Sequence, residues 1–237
     1  MIEEPPPLAF APSIERPRLE LVERLRGAPT SFVVDAMGGA GALDWRIRPL
    51  VGHSLLGVAL TCDCGASDNL ALIAAVAQCE PGDVLVAAAG GSTGAAVTGD
   101  LLIGVARNRG AVGFVTDGLV RDLAGLEALD VPIFAMGVSA TPPGRRGPGT
   151  VGLPIVCGGR AIASGDVIVA DSDGVAVVPR DRIAETLERL ERVRDAERAV
   201  LERVRGGARE LPLTTAATPA AAAKLRSERS VDWSRTG

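Results

Sequence analysis

The sequence predicts an α/β fold in which central β-sheets are flanked by helices. Its 237 residues are enough to bury a substantial core. Apolar strands alternate with helical segments in the middle of the chain, and two β-hairpin turn sequences follow toward the end. We therefore expect one domain over residues 19–206, with a Pro-rich N-terminal arm (1–18) and a flexible or partner-wrapping tail (207–237).

The first half of the expected domain alternates helices and strands. The arm is not expected to form regular structure because it is rich in proline. Helices are predicted at "PRLELVERLRGA", at "TSFVVDAMGG" with Thr30 or Ser31 as its cap, and at "SDNLALIAAVAQCEPGD" with Ser67 or Asp68 as its cap. Strands are predicted at "HSLLGVALTCD" and at the fully apolar "DVLVAAA", which precedes a loop, "GGSTGAAVTG".

The second half begins with a helix over residues 100–109 and continues with strands. Strands are predicted at "AVGFVT" and "VPIFAMG", followed by a Pro/Gly/Arg loop at 141–150. Two hairpins are predicted to turn at "ASGD" and "DSDG", between "RAI", "VIVA" and "VAVVP". A long charged helix is predicted from Arg180 to about Arg205, where Gly206-Gly207 stops it.

Composition excludes several functions. The net charge of −4 and the 3% of aromatic residues argue against nucleic-acid binding. With no 18-residue apolar run and no signal-peptide pattern, we expect a cytoplasmic protein without a membrane partner. The four cysteines form no zinc or disulfide pattern, so buried, reduced thiols are expected. His53 and Lys224 are the only histidine and lysine, and Lys224 in the low-complexity tail is a poor Schiff-base amine.

Asp100 and the pair Arg121-Asp122 are separated by twenty residues in "GDLLIGVARNRGAVGFVTDGLVRDL". A ten-residue helix covers roughly 15 Å and a strand of about five residues covers roughly 16 Å. The chain therefore returns to the level of the helix N-terminus, the end of an α/β sheet at which ligands bind. This spacing predicts that the three residues belong to one site.

Such a site combines three chemical capacities. The amide groups of Gly99, Asp100, Leu101 and Leu102 would face an anion at the helix N-terminus. Arg121 could bind a carboxylate or oxo group, and Asp122 and Asp100 could bind a hard divalent ion, Mg²⁺ or Mn²⁺. Alternatively, Arg121 and Asp122 form surface ion pairs in a turn and Gly99 only caps a helix.

Two other features of the sequence have competing interpretations. "GGSTG" matches a serine nucleophile elbow, but no histidine follows Ser92, so the glycines are better explained by close packing or approach to a ligand. Glu197 falls on the apolar stripe of the long helix that begins with Ile183 and Leu187. Either the glutamate is solvated there, or the helix packs across a subunit boundary and offers Glu197 to a neighbour's site.

Over about residues 28–205 the sequence resembles the class II pyruvate aldolases typified by 4-hydroxy-4-methyl-2-oxoglutarate aldolase, a family homologous to ribonuclease-activity regulators. The resemblance rests on the Asp, twenty residues, Arg-Asp pattern and on "DAMGGAGALDWRIRPL", "DNLALIAAV", "PGDVLV", "DGLVRD", "PIFAMG" and "GDVIVADSDGVAVVP". It implies a swivelling β/β/α domain and a homotrimer or homohexamer with active sites between subunits.

The resemblance also implies roles for individual residues. Gly99, Leu101, Leu102 and Arg121 would bind the pyruvate moiety together with Asp100, and Asp122 would ligate Mg²⁺ or Mn²⁺. Asp100 would hold a metal-bound water, and Asn69 would make a further substrate contact. Glu197 would come from the adjacent subunit. Three departures, Ile73 in place of a histidine, "ASGD" in place of "PGD" and the added arm and tail, leave the distal half of the substrate open.

The activity implied is a metal-dependent lyase. It would cleave a 4-hydroxy-2-oxo acid, such as 4-hydroxy-4-methyl-2-oxoglutarate, to pyruvate, and would also decarboxylate oxaloacetate because both reactions pass through the pyruvate enolate. Two alternatives remain. The chain is a noncatalytic ribonuclease-regulator-like binding protein, or it is a family member retooled for an unrelated substrate.

Overall fold

A computed structural model describes residues 7–209, in which strands and helices alternate as expected. The helices are α1 (Leu19–Glu23), α2 (Thr30–Ala36), α3 (Leu70–Gln78), α4 (Asp100–Asn108), α5 (Leu123–Leu129) and α6 (Ile183–Arg205). The strands are β1 (Leu8–Phe10), β2 (Arg48–Val51), β3 (Leu55–Asp63), β4 (Asp83–Ala88), β5 (Ala96–Thr98), β6 (Gly113–Thr116), β7 (Leu119–Val120), β8 (Ile133–Ala135), β9 (Gly137–Val138), β10 (Gly149–Val151), β11 (Ile155–Cys157), β12 (Arg160–Ile162), β13 (Val167–Asp171) and β14 (Gly174–Val178).

The main sheet has nine strands and is centred on β3 and β4. Strands β3, β4, β6 and β8 run parallel, and β2 closes one edge antiparallel to β8. Strand β3 has two neighbours on its other side, since its end pairs with β10 and its start pairs with β13 of the β13–β14 hairpin. This division is possible because β3, with nine residues, is long enough for two partners.

Both faces of the main sheet are covered. Along β4, Leu85 and Ala87 belong to the core that includes α3, α4 and α5, whereas Val84 and Val86 belong to the core on the opposite face. All six residues of β4 are buried, which explains why the five residues that follow Asp83 are apolar without alternation. The predicted α/β fold with helices flanking the sheets is confirmed.

Two small sheets accompany the large one. Strands β5, β7 and β9 form a parallel three-stranded sheet, and β11 pairs with β12 in an antiparallel ribbon. The hairpin predicted at "DSDG" is confirmed, but the one predicted at "ASGD" is wrong because β12 pairs with β11 whereas β13 pairs with β3 and β14. The "GGSTGAAVTG" segment is likewise not all loop, since it contains β5.

Part of the N-terminal arm is ordered, contrary to expectation. Residues Leu8–Phe10 form β1, which extends the main sheet by pairing in parallel with β10. Arg16 then donates two hydrogen bonds to the buried carboxylate of Asp83, at 2.9 and 2.8 Å. Backbone pairing with a distant strand stabilises this segment in spite of its composition, and only residues 1–6 of the arm lie outside the described part.

The cap of α2 differs from expectation, whereas at α3 one of the two predicted residues, Asp68, supplies the capping acceptor. Pro29 precedes α2, and the N–H and hydroxyl of Thr30 both donate to Asp171, so the capping acceptor comes from β13. Helix α3 begins after Asn69, and Asp68 Oδ1 accepts the Leu70 N–H at 2.9 Å. Both helices therefore obtain a carboxylate at the N-terminus, where the helix dipole favours negative charge.

The chain divides into two units within α6, at Glu191 and Arg192. The first unit contains the sheets and the buried start of α6. In the second, the described residues continue the helix to Arg205, and Glu197, Leu201 and Val204 are exposed. The predicted end of the domain at residue 206 stays a prediction, and residues 210–237 lie outside the described part.

Within residues 7–209 no helix is long and apolar enough to cross a membrane.

Candidate active site at the start of helix α4

The small parallel sheet brings the two halves of the predicted site together. Thr98 at the end of β5 is the register partner of Val120 at the end of β7. The Arg121 N–H donates to the Thr98 carbonyl at 2.9 Å. Because the strands run parallel and end together, the residues that follow them, Gly99 and Arg121, lie next to each other. The predicted juxtaposition is observed, through a strand pairing that the spacing argument did not include.

Asp122 is held in an uncommon backbone conformation. Its φ of 57° and ψ of 45° are left-handed, which costs free energy for a residue other than glycine. Its carbonyl accepts the Leu126 N–H at 3.0 Å, so the residue begins α5 without using its side chain as a cap. Its carboxylate is 3.1 Å from Nε of Arg121. The left-handed turn thus directs the carboxylate toward the arginine.

Two glycines make room for the aspartates. A Cβ at Gly99 would overlap Oδ2 of Asp122, and a Cβ at Gly125 would overlap the carboxylate of Asp100. Gly99 has an ordinary φ of −142°, so its requirement is for space and not for an unusual conformation. These contacts explain why glycines occur at both positions.

One of the backbone N–H groups at the N-terminus of α4 already has an acceptor within the same helix. Oδ1 of Asp100 accepts the Leu101 N–H at 2.8 Å, so in this arrangement the Leu101 amide is not free for an anion, contrary to expectation. The first N–H groups of a helix have no intrahelical acceptor, and the dipole adds positive potential there. A carboxylate bound at this end would compete with Asp100 for one amide.

These residues line a cavity of about 340 Å³, near the lower limit of about 300 Å³ for ligand pockets. The cavity contains every site residue predicted in the first unit: Asn69, Gly99, Asp100, Leu101, Leu102, Arg121 and Asp122. Sequence reasoning missed Thr98, Val105, Pro143 and Arg145, which complete the lining with Ile73. The sequence feature that could have indicated Arg145 is the pair of consecutive arginines in the "PPGRRGPG" loop.

Comparison with known proteins identifies the family. Residues 30–177 match the RraA-like family, described as Aldolase/RraA. A protein of Halalkalibacterium halodurans, provisionally named 4-hydroxy-4-methyl-2-oxoglutarate aldolase, is 36% identical over 175 residues, which cover 73% of this chain and 83% of that protein. The chain belongs to the RraA-like family.

Solved RraA-like structures have the same fold. Streptomyces coelicolor RraAS2, described as an unusual member of the RNase ES inhibitor RraA family, has a TM-score of 0.70 and 28% identity, covering 80% of this chain and all (100%) of that one. The RNA-processing inhibitor RraA of Thermus thermophilis has a TM-score of 0.59 and 26% identity, covering 64% and 93%. The resemblance inferred from the sequence is thus confirmed at the level of family and fold.

The donor atoms of this RraA-like cavity fit a hard divalent cation. Asp122 and Asp100 both contribute carboxylates to the lining. Within residues 7–209 no group of three or more His, Cys, Asp or Glu side chains is close enough to enclose a metal ion. Mg²⁺ is often held by only one or two carboxylates while it keeps several waters. The site therefore suits Mg²⁺ or Mn²⁺ better than zinc, which prefers nitrogen and sulfur ligands.

Two further residues considered from the sequence lie elsewhere. Glu197 belongs to the second unit, where its side chain is exposed, and its contribution to a neighbouring subunit's site stays a prediction. Ser92 does not resemble an activated nucleophile, because its hydroxyl is 3.3 Å from that of Ser67 and contacts the Gly94 N–H. Of the "GGSTG" glycines, Gly94 serves packing, since a Cβ there would meet the Ser67 hydroxyl at 2.7 Å, whereas Gly90 and Gly91 have open space around them and adopt left-handed φ angles of 61° and 70°.

Proposed function

We propose that this chain is a divalent-metal-dependent aldolase that cleaves a 4-hydroxy-2-oxo acid to pyruvate and a second carbonyl compound. The observation that carries the proposal is the convergence of Arg121, Asp122 and Asp100 with the start of α4 in one cavity. The 36% identical relative, provisionally named as such an aldolase, supports it. Decarboxylation of oxaloacetate is proposed as an accompanying activity, because it produces the same enolate.

The reaction requires stabilisation of negative charge. Breaking the C3–C4 bond leaves its electron pair on C3, and the resulting enolate places charge on the 2-oxo oxygen. Mg²⁺ or Mn²⁺ held by Asp122 supplies Lewis-acid stabilisation of that charge when bound. The only lysine, Lys224, lies outside the described residues in a low-complexity segment, so a Schiff base is not the proposed route.

The chain's own residues bind and orient the substrate. Arg121 donates to the 2-oxo oxygen, where its positive charge matches the developing oxyanion. The amides at the start of α4, from Gly99 to Leu102, hold the C1 carboxylate at the positive end of the helix dipole. This division of contacts fixes the C3–C4 bond relative to the catalytic carboxylates.

Proton transfer is assigned to Asp100. The 4-hydroxyl must lose its proton as the C3–C4 bond breaks, and C3 must later gain one. The carboxylate of Asp100 lines the cavity beside Gly125, and it is proposed to accept the hydroxyl proton and then return it to C3 of the enolate, so that no net proton is gained or lost. Glu197 of an adjacent subunit is proposed to assist in a homotrimer or homohexamer, which light scattering combined with size-exclusion chromatography would reveal.

A lactate-dehydrogenase-coupled assay tests the proposal. Purified protein is incubated with branched 4-hydroxy-2-oxo acids and with oxaloacetate, with and without Mg²⁺, and pyruvate is followed by NADH oxidation. We expect pyruvate from at least one acid in Mg²⁺ and its loss in EDTA. Turnover that persists in EDTA would exclude the metal-dependent mechanism, and no pyruvate from any acid would exclude the activity.

A second candidate is a noncatalytic binding protein that acts on a ribonuclease. It is favoured by the structural similarity to Streptomyces coelicolor RraAS2, whose description names the RNase ES inhibitor family. Capture of a ribonuclease by the immobilised protein, together with the absence of pyruvate release, would favour this function over the aldolase.

A further inference from the structure

The loop over residues 139–148 supplies part of the cavity wall and continues directly into β10. Pro143 and Arg145 from this loop belong to the lining. The sequence of the loop, "SATPPGRRGP", contains no run of large apolar residues that could anchor it by burial. The wall therefore keeps its shape through contacts between the loop backbone and neighbouring elements.

The middle of the loop is hydrogen-bonded to the residues that precede α3. The Asn69 N–H donates to the Gly144 carbonyl at 3.0 Å, and the Gly144 N–H donates to the Ser67 carbonyl at 2.7 Å. Oδ2 of Asp68 accepts the Arg146 N–H at 2.7 Å. These contacts attach the loop to the domain before the chain enters β10.

The N-terminal arm makes a second attachment, through β10. Strand β10 pairs with β3 at two positions, Thr150 and Val151, but it pairs with β1 over all three of its residues. The Pro7 carbonyl accepts the Gly149 N–H at 3.0 Å, and the Ala11 N–H donates to the Val151 carbonyl at 2.8 Å. The arm therefore makes a hydrogen bond at each end of β10.

The arm also approaches the backbone on both sides of β10 too closely for a side chain to fit between them. A Cβ at Gly147 would be 2.7 Å from the Pro7 carbonyl oxygen, and a Cβ at Gly152 would be 2.9 Å from Cβ of Ala11. Leu8, which lies between these two contacts, packs against the core that includes α3. Because packing this close leaves no slack, a shift of the arm must also shift the end of the loop.

A separate anchor holds the arm beyond this pairing. Arg16 is hydrogen-bonded to the buried Asp83, and Nη1 of Arg180 is 2.9 Å from Oε2 of Glu15. The pairing of residues 7–11 with β10 can therefore open while the arm stays tethered to the domain. No described residue of the arm belongs to the cavity lining, so an effect of the arm on the cavity has to act through β10 and the loop.

We propose that residues 7–11 form a strap that positions the 139–148 loop and thereby maintains the cavity wall. While the strap pairs with β10, Pro143 and Arg145 stay at the wall. When the strap detaches, the loop loses one of its two attachments and the wall opens. The strap consists of positioning residues, and only its effect on turnover rests on the proposed function.

Amide hydrogen exchange tests the strap. Alternate residues of a strand face the same neighbour, so Ala9 faces β10 as Pro7 and Ala11 do. The double variant Ala9→Pro/Ala11→Pro removes the two N–H donors that the strap directs at β10. We expect the Gly144 and Arg146 amides to exchange at least about tenfold faster, because two backbone hydrogen bonds together contribute about that factor.

These two amides report on the loop and not on the lost pairing, since their acceptors are Ser67 and Asp68. Mass spectrometry with electron-transfer fragmentation resolves their exchange by residue. Ser13→Pro is the matched control, because it adds a proline to the same arm but the Ser13 N–H donates no hydrogen bond within residues 7–209. It should leave the exchange of both loop amides unchanged.

Three results would overturn the proposal. The first is wild-type exchange of the loop amides in the double variant, and the second is an equal effect of Ser13→Pro. The third is equally faster exchange throughout β4 and β6, which would show that the arm stabilises the whole sheet and not the loop. If the double variant does not fold, Ala11→Pro alone, which retains the Ala9 N–H, decides the question with an expected acceleration of about threefold.

Turnover connects the strap to the proposed function. With oxaloacetate and Mg²⁺ we expect the double variant to raise KM at least about threefold, because affinity falls with the fraction of molecules whose loop is in place. The value of kcat should stay within about twofold, since Arg121 and Asp122 follow β7, which does not pair with the arm. An unchanged KM, or a loss confined to kcat, would contradict the effect on the cavity. If the wild type releases no pyruvate from any acid, the aldolase proposal fails, whereas the exchange of the loop amides still decides the role of the strap.

Discussion

The carboxylate of Asp122 lies in the space that a Cβ at Gly99 would occupy. The two residues are therefore coupled sterically, although 22 residues separate them in the sequence. The position of the proposed metal ligand depends on a residue that has no side chain. Substitution of Gly99 is accordingly a way to displace Asp122 without removing any functional group.

Gly99→Ala should lower kcat/KM for pyruvate release by at least about tenfold, because misplacement by about an ångström can cost a hundredfold. Gly104→Ala, in the middle of α4, is the control, since its new methyl would meet Leu129 at an ordinary 3.7 Å. That variant should keep its activity and gain about 0.5–1 kcal/mol of unfolding free energy. Equal activity of both variants would show that the position of Asp122 is unimportant.

Asp122→Asn and Arg121→Met should each lower kcat/KM by at least about 100-fold, the scale of losing one preorganised stabiliser. Asparagine is chosen because it tolerates the left-handed conformation of residue 122. Asp130→Asn provides a matched control, since Asp130 is also left-handed, with φ of 54°, but lies at the other end of α5. A hundredfold loss in the control as well would point to damage to α5 and not to the site.

Arg16→Met should destabilise the fold by about 2–3 kcal/mol, as expected when charge-assisted hydrogen bonds to a buried group are lost. Asp83 is 1% exposed, and its carboxylate accepts two hydrogen bonds from the Arg16 guanidinium and one from the Glu80 N–H, so the variant would leave the carboxylate with the single backbone donor. Urea unfolding measures the change. Arg26→Met, which removes only an exposed pair with Glu23, should have no measurable effect. Equal stability of the Arg16 variant would show that the arm is dispensable.

Asp171→Asn should reduce stability at pH 7 by about 1 kcal/mol, the usual effect of losing a helix cap. Burial alone would raise the pKa of Asp171, but hydrogen bonds from Thr30 and from the backbone of Asp173 and Gly174 outweigh it and lower the pKa. The ionised carboxylate therefore adds stability above the unfolded-state pKa of about 4, and this contribution is lost as the pH falls through the lower folded-state pKa.

Urea unfolding curves should consequently show that the free energies of unfolding of the wild type and Asp171→Asn become more similar below about pH 4. Asp173→Asn is the control, because the side chain of Asp173 makes no hydrogen bond within the described range. A stability difference that stays constant from pH 7 to the acid limit would contradict the assignment of Asp171 as an ionised cap.

The four thiols should resist labelling by a disulfide reagent in the native protein and react fully in denaturant. All are free and buried. The neighbouring Cys64 thiol and burial raise the pKa of Cys62, burial raises that of Cys157, and burial raises that of Cys79 to about 11. Thiolate is the reactive form, so both access and ionisation disfavour reaction. Rapid labelling of even one cysteine would contradict this packing.

Most of the long elements could be predicted from the sequence because their burial leaves a regular pattern. Strand β4 is apolar at every position after Asp83, and α4 begins at an aspartate and ends before a glycine, so both were recognisable. Strands of two or three residues, such as β1, β5 and β7, leave no such pattern. Their existence depends on partners distant in the sequence, which local propensity does not report.

The site was predictable to the extent that its residues follow regular elements. Spacing brought Asp100 to Arg121 and Asp122 because one helix and one strand have similar lengths. Arg145 could not be placed in this way, since it lies in an irregular Pro/Gly loop whose path is set by hydrogen bonds to Ser67 and Asn69. The capping of α2 by Asp171 was missed for the same reason, because its acceptor lies 141 residues away.

The attachment of the 139–148 loop has an evolutionary consequence. The backbone of the loop is held by hydrogen bonds to main-chain groups and to the carboxylate of Asp68. Most side chains of the loop are therefore not needed to maintain its path. The residue at position 145 can therefore change identity while the strand ends that position Arg121 and Asp122 stay as they are. Substrate preference at the proposed site can therefore diverge among relatives through changes in this loop alone, while Arg121 and Asp122 are inherited unchanged.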